Sequence, residues 1–114
     1  MRILTEFGMG TSLRRGDYTE AAARAVRNAL WRNSINAAEV FGFDKADMRL
    51  TVEIGVARPE RVDVEKVAQV FPYGEVDIRV TEGGLDVPRP EGTGEATVIA
   101  IVAISVGFDM ERAA

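Results

Sequence analysis

The apolar run ATVIAIVAISVGF, residues 96–108, constrains the fold of this chain more than any other segment. Its β-branched residues predict a strand over about 96–107. Both faces of that strand are apolar, because one face carries Val98, Ala100, Val102, Ile104 and Val106 and the other carries Ile99, Ile101 and Ala103. Such a strand needs a cover on each of its two faces. The run is too short to span a bilayer as a helix, and no membrane association is expected.

Five further segments complete the predicted architecture. Residues 48–56 and 75–81 alternate between apolar and polar side chains and predict half-buried strands, and residues 2–7 predict a short strand. Apolar residues at helical spacing predict helices over about 18–33 and 62–72. The order is β-α-β-α-β-β, which predicts an α+β fold with a single mixed β-sheet and two helices packed on one face.

The predicted helices carry recognisable end signals. Asp17 and Glu20 have the spacing of a capping box at the first helix. Asp63 and Pro72 are placed to begin and end the second. The inner stripe of the first helix is rich in alanine, so this helix can lie close to a sheet. Trp31 falls on its polar face, where it is either an interface anchor or a ring over a neighbouring loop.

The rest of the chain is predicted to connect these elements within one domain. Residues 34–46 predict a helical turn followed by a loop, and the glycine- and proline-rich residues 83–95 predict a long loop. The chain has 114 residues and no visible linker or repeat. These features predict a single domain over 1–114.

Composition excludes several classes of function. The net charge of −4 and the pI of about 4.9 argue against binding to nucleic acid or to an anionic membrane surface. The chain has no cysteine and no histidine, which excludes the usual zinc ligand sets, a thiolate nucleophile and a histidine base. No metal site and no cofactor are therefore expected. The N-terminus has no secretory apolar region, so a cytoplasmic location is expected.

The apolar last strand also predicts assembly. Two helices cover one face of a sheet, and the other face carries charges on the strands at 48–56 and 75–81. Something else has to cover that face around the last strand. A second subunit is the simplest cover. The chain is therefore expected to form a homo- or hetero-oligomer through the sheet face and the last strand.

The stretch EFGMGTSLRRGDYTEAA, residues 6–22, has the layout of an anion-binding turn. Two glycines, Gly8 and Gly10, precede two arginines and a helix start, where backbone N–H groups can hold a phosphate or carboxylate. The candidate ligand is a small anion, and the candidate binding residues around the turn are Gly8, Gly10, Ser12, Arg14 and Arg15. Against this, Asp17 occupies the helix end and its charge opposes an anion. A purely structural corner is the other interpretation.

A second candidate site lies on the outward faces of the predicted strands. These faces are expected to carry Glu6, Arg49, Glu53, Asp77 and Arg79. One interpretation is a ladder of cross-strand ion pairs. The other is a small-molecule site between subunits, with Glu6 or Glu53 as the acid or base and Arg49 or Arg79 as the clamp on the ligand.

Three segments carry a resemblance to a known family: GMGTSLRRGDYTEAAARAVRNA, FPYG (71–74) and EGGL (82–85). They resemble a widespread, uncharacterised family of small proteins whose N-terminal hallmark is Gly-x-Gly-x-Asp-x-His-Gly. Both hallmark glycines are present, but Ser12, Arg14 and Arg15 stand at its Asp, His and last Gly positions. The order of elements also looks like the trimeric chorismate mutase-like fold, by topology alone.

The resemblance implies a diverged paralogue that keeps the shape of the hallmark and has lost its reactive pair. Such a chain is expected to be an oligomeric subunit that completes a hetero-oligomer with an intact relative. The alternative is a homo-oligomeric enzyme or binder that takes a small anionic metabolite at its subunit interfaces. The residues leave open whether the chain is an enzyme.

Overall fold

A computed structural model of the chain describes residues 2–13, 15–32, 48–71, 75–90, 92 and 94–108. The elements are β1 (Arg2–Ser12), α1 (Tyr18–Arg32), β2 (Met48–Val56), a 3₁₀ turn (Pro59–Arg61), α2 (Val64–Ala68), β3 (Glu75–Glu82), β4 (Leu85–Val87) and β5 (Thr97–Phe108). The predicted α+β class, with one mixed sheet and helices on one face, is confirmed.

The described strands form one five-stranded sheet in the order β1-β5-β2-β3, and β4 also pairs with β5. The pairs β1–β5, β2–β5 and β4–β5 are antiparallel, and β2–β3 is parallel. The apolar last strand β5 therefore lies in the interior of the sheet, with neighbours along both of its edges. The valine-rich face of β5 is buried, whereas Ile101 on its other face is 49% exposed.

The hydrophobic core lies between the sheet and α1. One face of β2 and β5 supplies buried valines, isoleucines and a leucine, and α1 supplies its alanine-rich stripe. The core side chains of α1 are Tyr18, Ala21, Ala22, Ala25, Val26 and Ala29. Each fully buried valine or isoleucine contributes about 1.5–3 kcal/mol relative to an exposed one. The predicted inner stripe of α1 is therefore confirmed, with Leu30 partly buried at its end.

The first strand differs most from its prediction. It was expected to end at residue 7 and to lead into a glycine turn, but β1 continues through Gly8 and Gly10 to Ser12. A Cβ atom on Gly10 would lie 2.2 Å from the backbone N of Ala25, and one on Gly8 would lie 2.4 Å from the Ala25 carbonyl oxygen. The two glycines therefore let the backbone of α1 rest directly on β1. A glycine inside a strand often marks such a close approach.

The connections differ in two smaller ways. The loop predicted over 83–95 contains β4, which pairs with β5 beyond the end of β2. Helix α2 begins as predicted, since the Asp63 carboxylate accepts from two backbone N–H groups of its first turn, but it ends already at Ala68. The N–H groups of Val70 and Phe71 then bond three residues back, which is the tighter 3₁₀ pattern common at helix ends.

Some predictions concern residues outside the described ranges. They include the turn and loop over 34–46, residues 72–74 and the side chain of Trp31. Within the described part of the chain, no helix has the length and apolarity needed to cross a membrane.

Candidate functional site

The corner between β1 and α1 is the first candidate site, and its polar groups are largely satisfied internally. Ser12 is only 4% exposed, and its hydroxyl accepts a hydrogen bond of 3.2 Å from the Asp17 N–H. Asp17 in turn accepts from the Glu20 N–H at 2.9 Å, which confirms the predicted cap of α1. Gly16 turns the chain with a φ of 57°, a conformation that favours glycine. The corner therefore has a structural role independent of any ligand.

A cleft of about 530 Å³ opens at this corner. It is lined by Ser12, Leu13, Arg15, Asp17, Glu20 and Arg24. Arg24 is engaged, because its guanidinium donates to Glu20 Oε1 at 3.1 Å and to the Thr11 carbonyl at 2.7 Å. Arg15 is exposed and has no partner among the described residues. The cleft thus combines two arginines with two carboxylates, which lowers its attraction for an anion.

Of the predicted binding residues at this corner, two lie at the cleft and two do not. Ser12 and Arg15 line it. Gly8 and Gly10 lie in β1 beneath α1, where their backbone shape supports packing. Arg14 lies outside the described residues. Binding of an anion by this group of residues stays a prediction.

The second candidate site lies on the face of the sheet that the helices leave open. Here Arg49 forms an ion pair with Glu75, and Glu53 stands directly opposite Arg79 in the parallel pair β2–β3. Arg79 Nε also lies 4.0 Å from Asp77 Oδ2 on its own strand. Of these contacts, Arg49–Glu75 is the cross-strand ion pair that the ladder interpretation expects among the described residues, and the Asp77–Arg79 contact lies within β3. Whether Glu53, Arg49 or Arg79 also contacts a ligand stays a prediction.

Glu6 does not belong to this group. It pairs with Ile104, which is fully buried against the helix layer, so Glu6 points to the helix side of the sheet. Phe7 pairs with Ala103, which stands opposite Glu53, and therefore occupies the open face in its place. The expected placement of Glu6 was wrong because Gly8 and Gly10, which carry no side chain, mark the inner face of β1. Because side chains alternate between the two faces of a strand, an assignment that is wrong by one position places every side chain on the wrong face.

The charged half of the open face adjoins an apolar half that the sequence predicted only in part. We call the second half the apolar strip, and it consists of Phe7, Met9, Leu85, Val87, Ile99 and Ile101. Direct pairing places Met9 beside Ile101, and Leu85 beside Ile99. The exposed fractions of Phe7, Met9, Leu85 and Ile101 are 67%, 56%, 61% and 49%. Strand β5 contributes Ile99 and Ile101 to the strip, and β1 and β4 contribute its other four residues.

A buried polar cluster was missed by the sequence. Tyr18 is 4% exposed, and its hydroxyl donates to Asp86 Oδ2, which joins the start of α1 to β4. The Arg61 guanidinium lies 4.9 Å from the centre of the Tyr18 ring, a cation–π contact. Burial, and then the bond to Asp86, raise the pKa of Tyr18 above its ordinary value. The other carboxylate oxygen of Asp86 is buried and has no hydrogen-bond partner within the part of the chain that the structure describes.

The cluster connects α1, β4 and the 3₁₀ turn. Thr19 strengthens it, because its hydroxyl accepts from the Asp63 N–H at 2.8 Å and holds the segment that carries Arg61. The Tyr18 hydroxyl is enclosed and already engaged, so it is poorly placed to exchange a proton with a ligand. No sequence signal pointed to this cluster, because β4 was predicted to be loop.

Comparison with known proteins adds a family but no activity. Among functionally curated proteins, none matches the chain. A similar solved structure is that of an FtsZ-like protein of unknown function from Nostoc punctiforme, with 35% sequence identity, a TM-score of 0.83 and coverage of 93% of each chain. The hallmark chemistry and the chorismate mutase-like assembly stay predictions. A family profile matches residues 2–106, and the chain belongs to that family of conserved hypothetical proteins, Lin0512_fam.

Proposed function

We propose that this chain is a subunit of an oligomer and that a partner subunit covers its open sheet face. The observation that carries the proposal is the apolar strip. Four large apolar side chains of the strip are about half exposed or more, and they lie together on three neighbouring strands. Contiguous exposed apolar surface of this kind marks an interaction site more often than chance exposure does.

The arrangement of charge supports a protein partner. The apolar strip occupies the β1, β5 and β4 part of the open face, and the ion pairs occupy the β2 and β3 part. Protein interfaces commonly combine an apolar centre with a polar border. A partner that packs on the strip would remove Phe7 and Ile101 from water and leave the ion pairs at the rim.

The finer form of the proposal names the partner as a relative that keeps the Asp and His of the hallmark. Its support is the replacement of that pair by Ser12 and Arg14. The Ser12 hydroxyl is engaged by the Asp17 N–H, so in this chain the position serves the corner. In this form the chain completes the interface and the relative supplies the chemistry.

The alternative, binding of a small anionic metabolite, has weaker support. The corner cleft contains Asp17 and Glu20 beside its arginines. On the open face, the arginines have carboxylates as close neighbours. An anion would have to displace these carboxylates or tolerate their charge.

Native mass spectrometry of the untagged protein isolated from its own cells tests the proposal. A complex of identical chains supports the homo-oligomer, and a complex with a second chain of similar size supports the pairing with a relative. A monomer contradicts both. Purified Phe7→Glu and Ile101→Glu variants are expected to assemble less, because each places a charge in the strip. Val64→Glu is the matched control, since Val64 is an exposed apolar residue on α2, outside the strip. Equal assembly of all three variants would contradict the role of the strip.

A further inference from the structure

We propose a second contact surface, the outer edge of β3, which pairs antiparallel with the β3 edge of another copy of this chain. The twofold axis of this pairing passes beside Ile78. The inference shares with the proposed function only the expectation that copies assemble. It concerns the opposite edge of the sheet from β1 and uses none of the residues of the apolar strip.

The two edges of the sheet are treated differently by the fold. At the β1 edge, Asn28 accepts from the Met9 N–H at 3.0 Å, and Arg24 donates to the Thr11 carbonyl at 2.7 Å. Side chains of α1 therefore occupy backbone groups that would otherwise bind another strand. At the β3 edge, the described residues include no such contact. An eight-residue strand with an open edge is a ready template for strand pairing.

The sequence of β3 is complementary to itself in one register. If Ile78 faces Ile78 of the other copy, then Asp77 faces Arg79 and Arg79 faces Asp77. Directly opposite charges on one face of an antiparallel pair stabilise it, and like charges destabilise it. This register forms two opposite-charge pairs and no like-charge pair. It has the residue-to-residue reciprocity that a twofold interface requires.

The neighbouring registers are worse. In a twofold pair, the same faces of the two copies stay on the same side of the sheet only when the axis passes beside a residue. The two nearest alternatives therefore place the axis beside Asp77 or beside Arg79. An axis at Asp77 also forms two Glu75–Arg79 pairs, but it sets the two Asp77 carboxylates against each other, and Glu75 already pairs with Arg49. An axis at Arg79 sets the two Arg79 guanidinium groups against each other. The charges of β3 therefore select the register centred on Ile78.

Both faces of β3 suit this pairing. Asp77 and Arg79 have side chains that are 68% and 71% exposed, and their mutual contact of 4.0 Å is loose, so both are available to a partner. On the helix side, Val76, Ile78 and Val80 are only half-buried. The proposed register places Val76 against Val80 of the other copy, which extends the apolar layer across the axis.

Reciprocal charge variants test the pairing. Asp77→Arg and Arg79→Asp are each expected to weaken it, because each replaces two opposite-charge pairs by two like-charge pairs, a change of about 30-fold in the dissociation constant. An equal mixture of the two variants restores both pairs, and so does the double variant. Sedimentation velocity measures the association. Glu65→Arg and Lys66→Glu on α2 are controls with the same charge changes at other exposed positions.

The absence of cysteine from the chain provides a second, direct measurement. An Ile78→Cys variant is expected to form a disulfide-linked dimer under mild oxidation, because the two copies meet at this residue. Val76→Cys is the matched control on the same face of β3. Its two cysteines would lie four residues out of register, at about 13 Å along the strands, too far apart to bond.

Each outcome decides for or against the β3 pairing. Loss of association in both single variants, its return on mixing, and a crosslink at Ile78 but not at Val76 support it. Unchanged association of Asp77→Arg and Arg79→Asp overturns it, as does a parent protein that remains monomeric at on the order of 100 µM. If only the proposed role of the apolar strip is wrong, the result is distinguishable, because Phe7→Glu would then leave assembly unchanged while Arg79→Asp still disrupts it.

Discussion

The contact between α1 and β1 predicts that Gly10→Ala destabilises the protein strongly. The new Cβ atom would lie 2.2 Å from the Ala25 backbone N and 2.4 Å from the Ala21 carbonyl oxygen. These are backbone atoms of a 15-residue helix, so no side-chain rotation can relieve the clash. The helix has to move away from the sheet, and the alanine stripe beneath it then loses contact with β1 and β5.

The magnitude follows from two opposing terms. Overpacking of this kind costs about 1–3 kcal/mol and sometimes more, and collisions with backbone belong at the upper end. Replacing glycine stiffens the unfolded chain and returns about 0.4–1 kcal/mol. The expected net loss is about 2 kcal/mol, which for a chain of this length lowers the Tm by about 8 °C.

Thermal unfolding followed by circular dichroism, with urea titration as a second measurement, tests this prediction. Gly55→Ala is the matched control, because Gly55 also lies within a strand but its Cβ would meet a side-chain atom of Ile101 at 3.0 Å. That side chain lies on the exposed face and can rotate, so the control is expected to change the Tm by less than about 3 °C. A Gly10→Ala protein that melts within that range of the parent would refute the close-contact explanation.

Three further predictions concern the corner and the buried cluster. Ser12→Ala removes the acceptor of the Asp17 N–H and is expected to cost about 1 kcal/mol in urea titrations. Asp17→Ala removes the cap that the Glu20 N–H uses, and about 1 kcal/mol is again expected, with reduced helix content at elevated temperature. The pKa of Tyr18 is raised in the folded state, so its contribution to stability is complete below pH 10.0 and is lost as the pH rises through that raised value. Tyr18→Phe should therefore be less stable at neutral pH, since Asp86 loses its donor, but should lose less further stability at alkaline pH. An equal alkaline loss in both proteins would contradict this assignment.

The sequence was sufficient for the fold class because its signals there are local and repeated. The two-residue alternation of β2 and β3 and the caps at Asp17 and Asp63 all report on the immediate neighbourhood of each residue. The apolar residues of β5 likewise predicted a strand, and one that requires a cover on both faces. These features depend on burial alone and do not require knowledge of which elements touch.

Features that depend on contacts between distant segments were not predictable in the same way. Strand β4 is three residues long and its pairing with β5 has no signal within its own sequence. The bond between Tyr18 and Asp86 joins residues 68 positions apart. The face of Glu6 depended on whether α1 covers the even or the odd positions of β1, and glycine carries no side chain that would reveal burial.

The Gly-x-Gly pattern shows how one local sequence can have two physical meanings. A glycine pair before a helix is expected where backbone N–H groups approach an anion, and equally where one backbone approaches another. In this chain the partner of both glycines is α1 itself, and the approach is made possible by alanines at positions 21, 25 and 29. The deciding signal was therefore in the helix, since a small-residue stripe facing a small-residue strand predicts close packing. In this chain the packing of α1 on β1 is therefore sufficient to explain both Gly8 and Gly10 without a ligand.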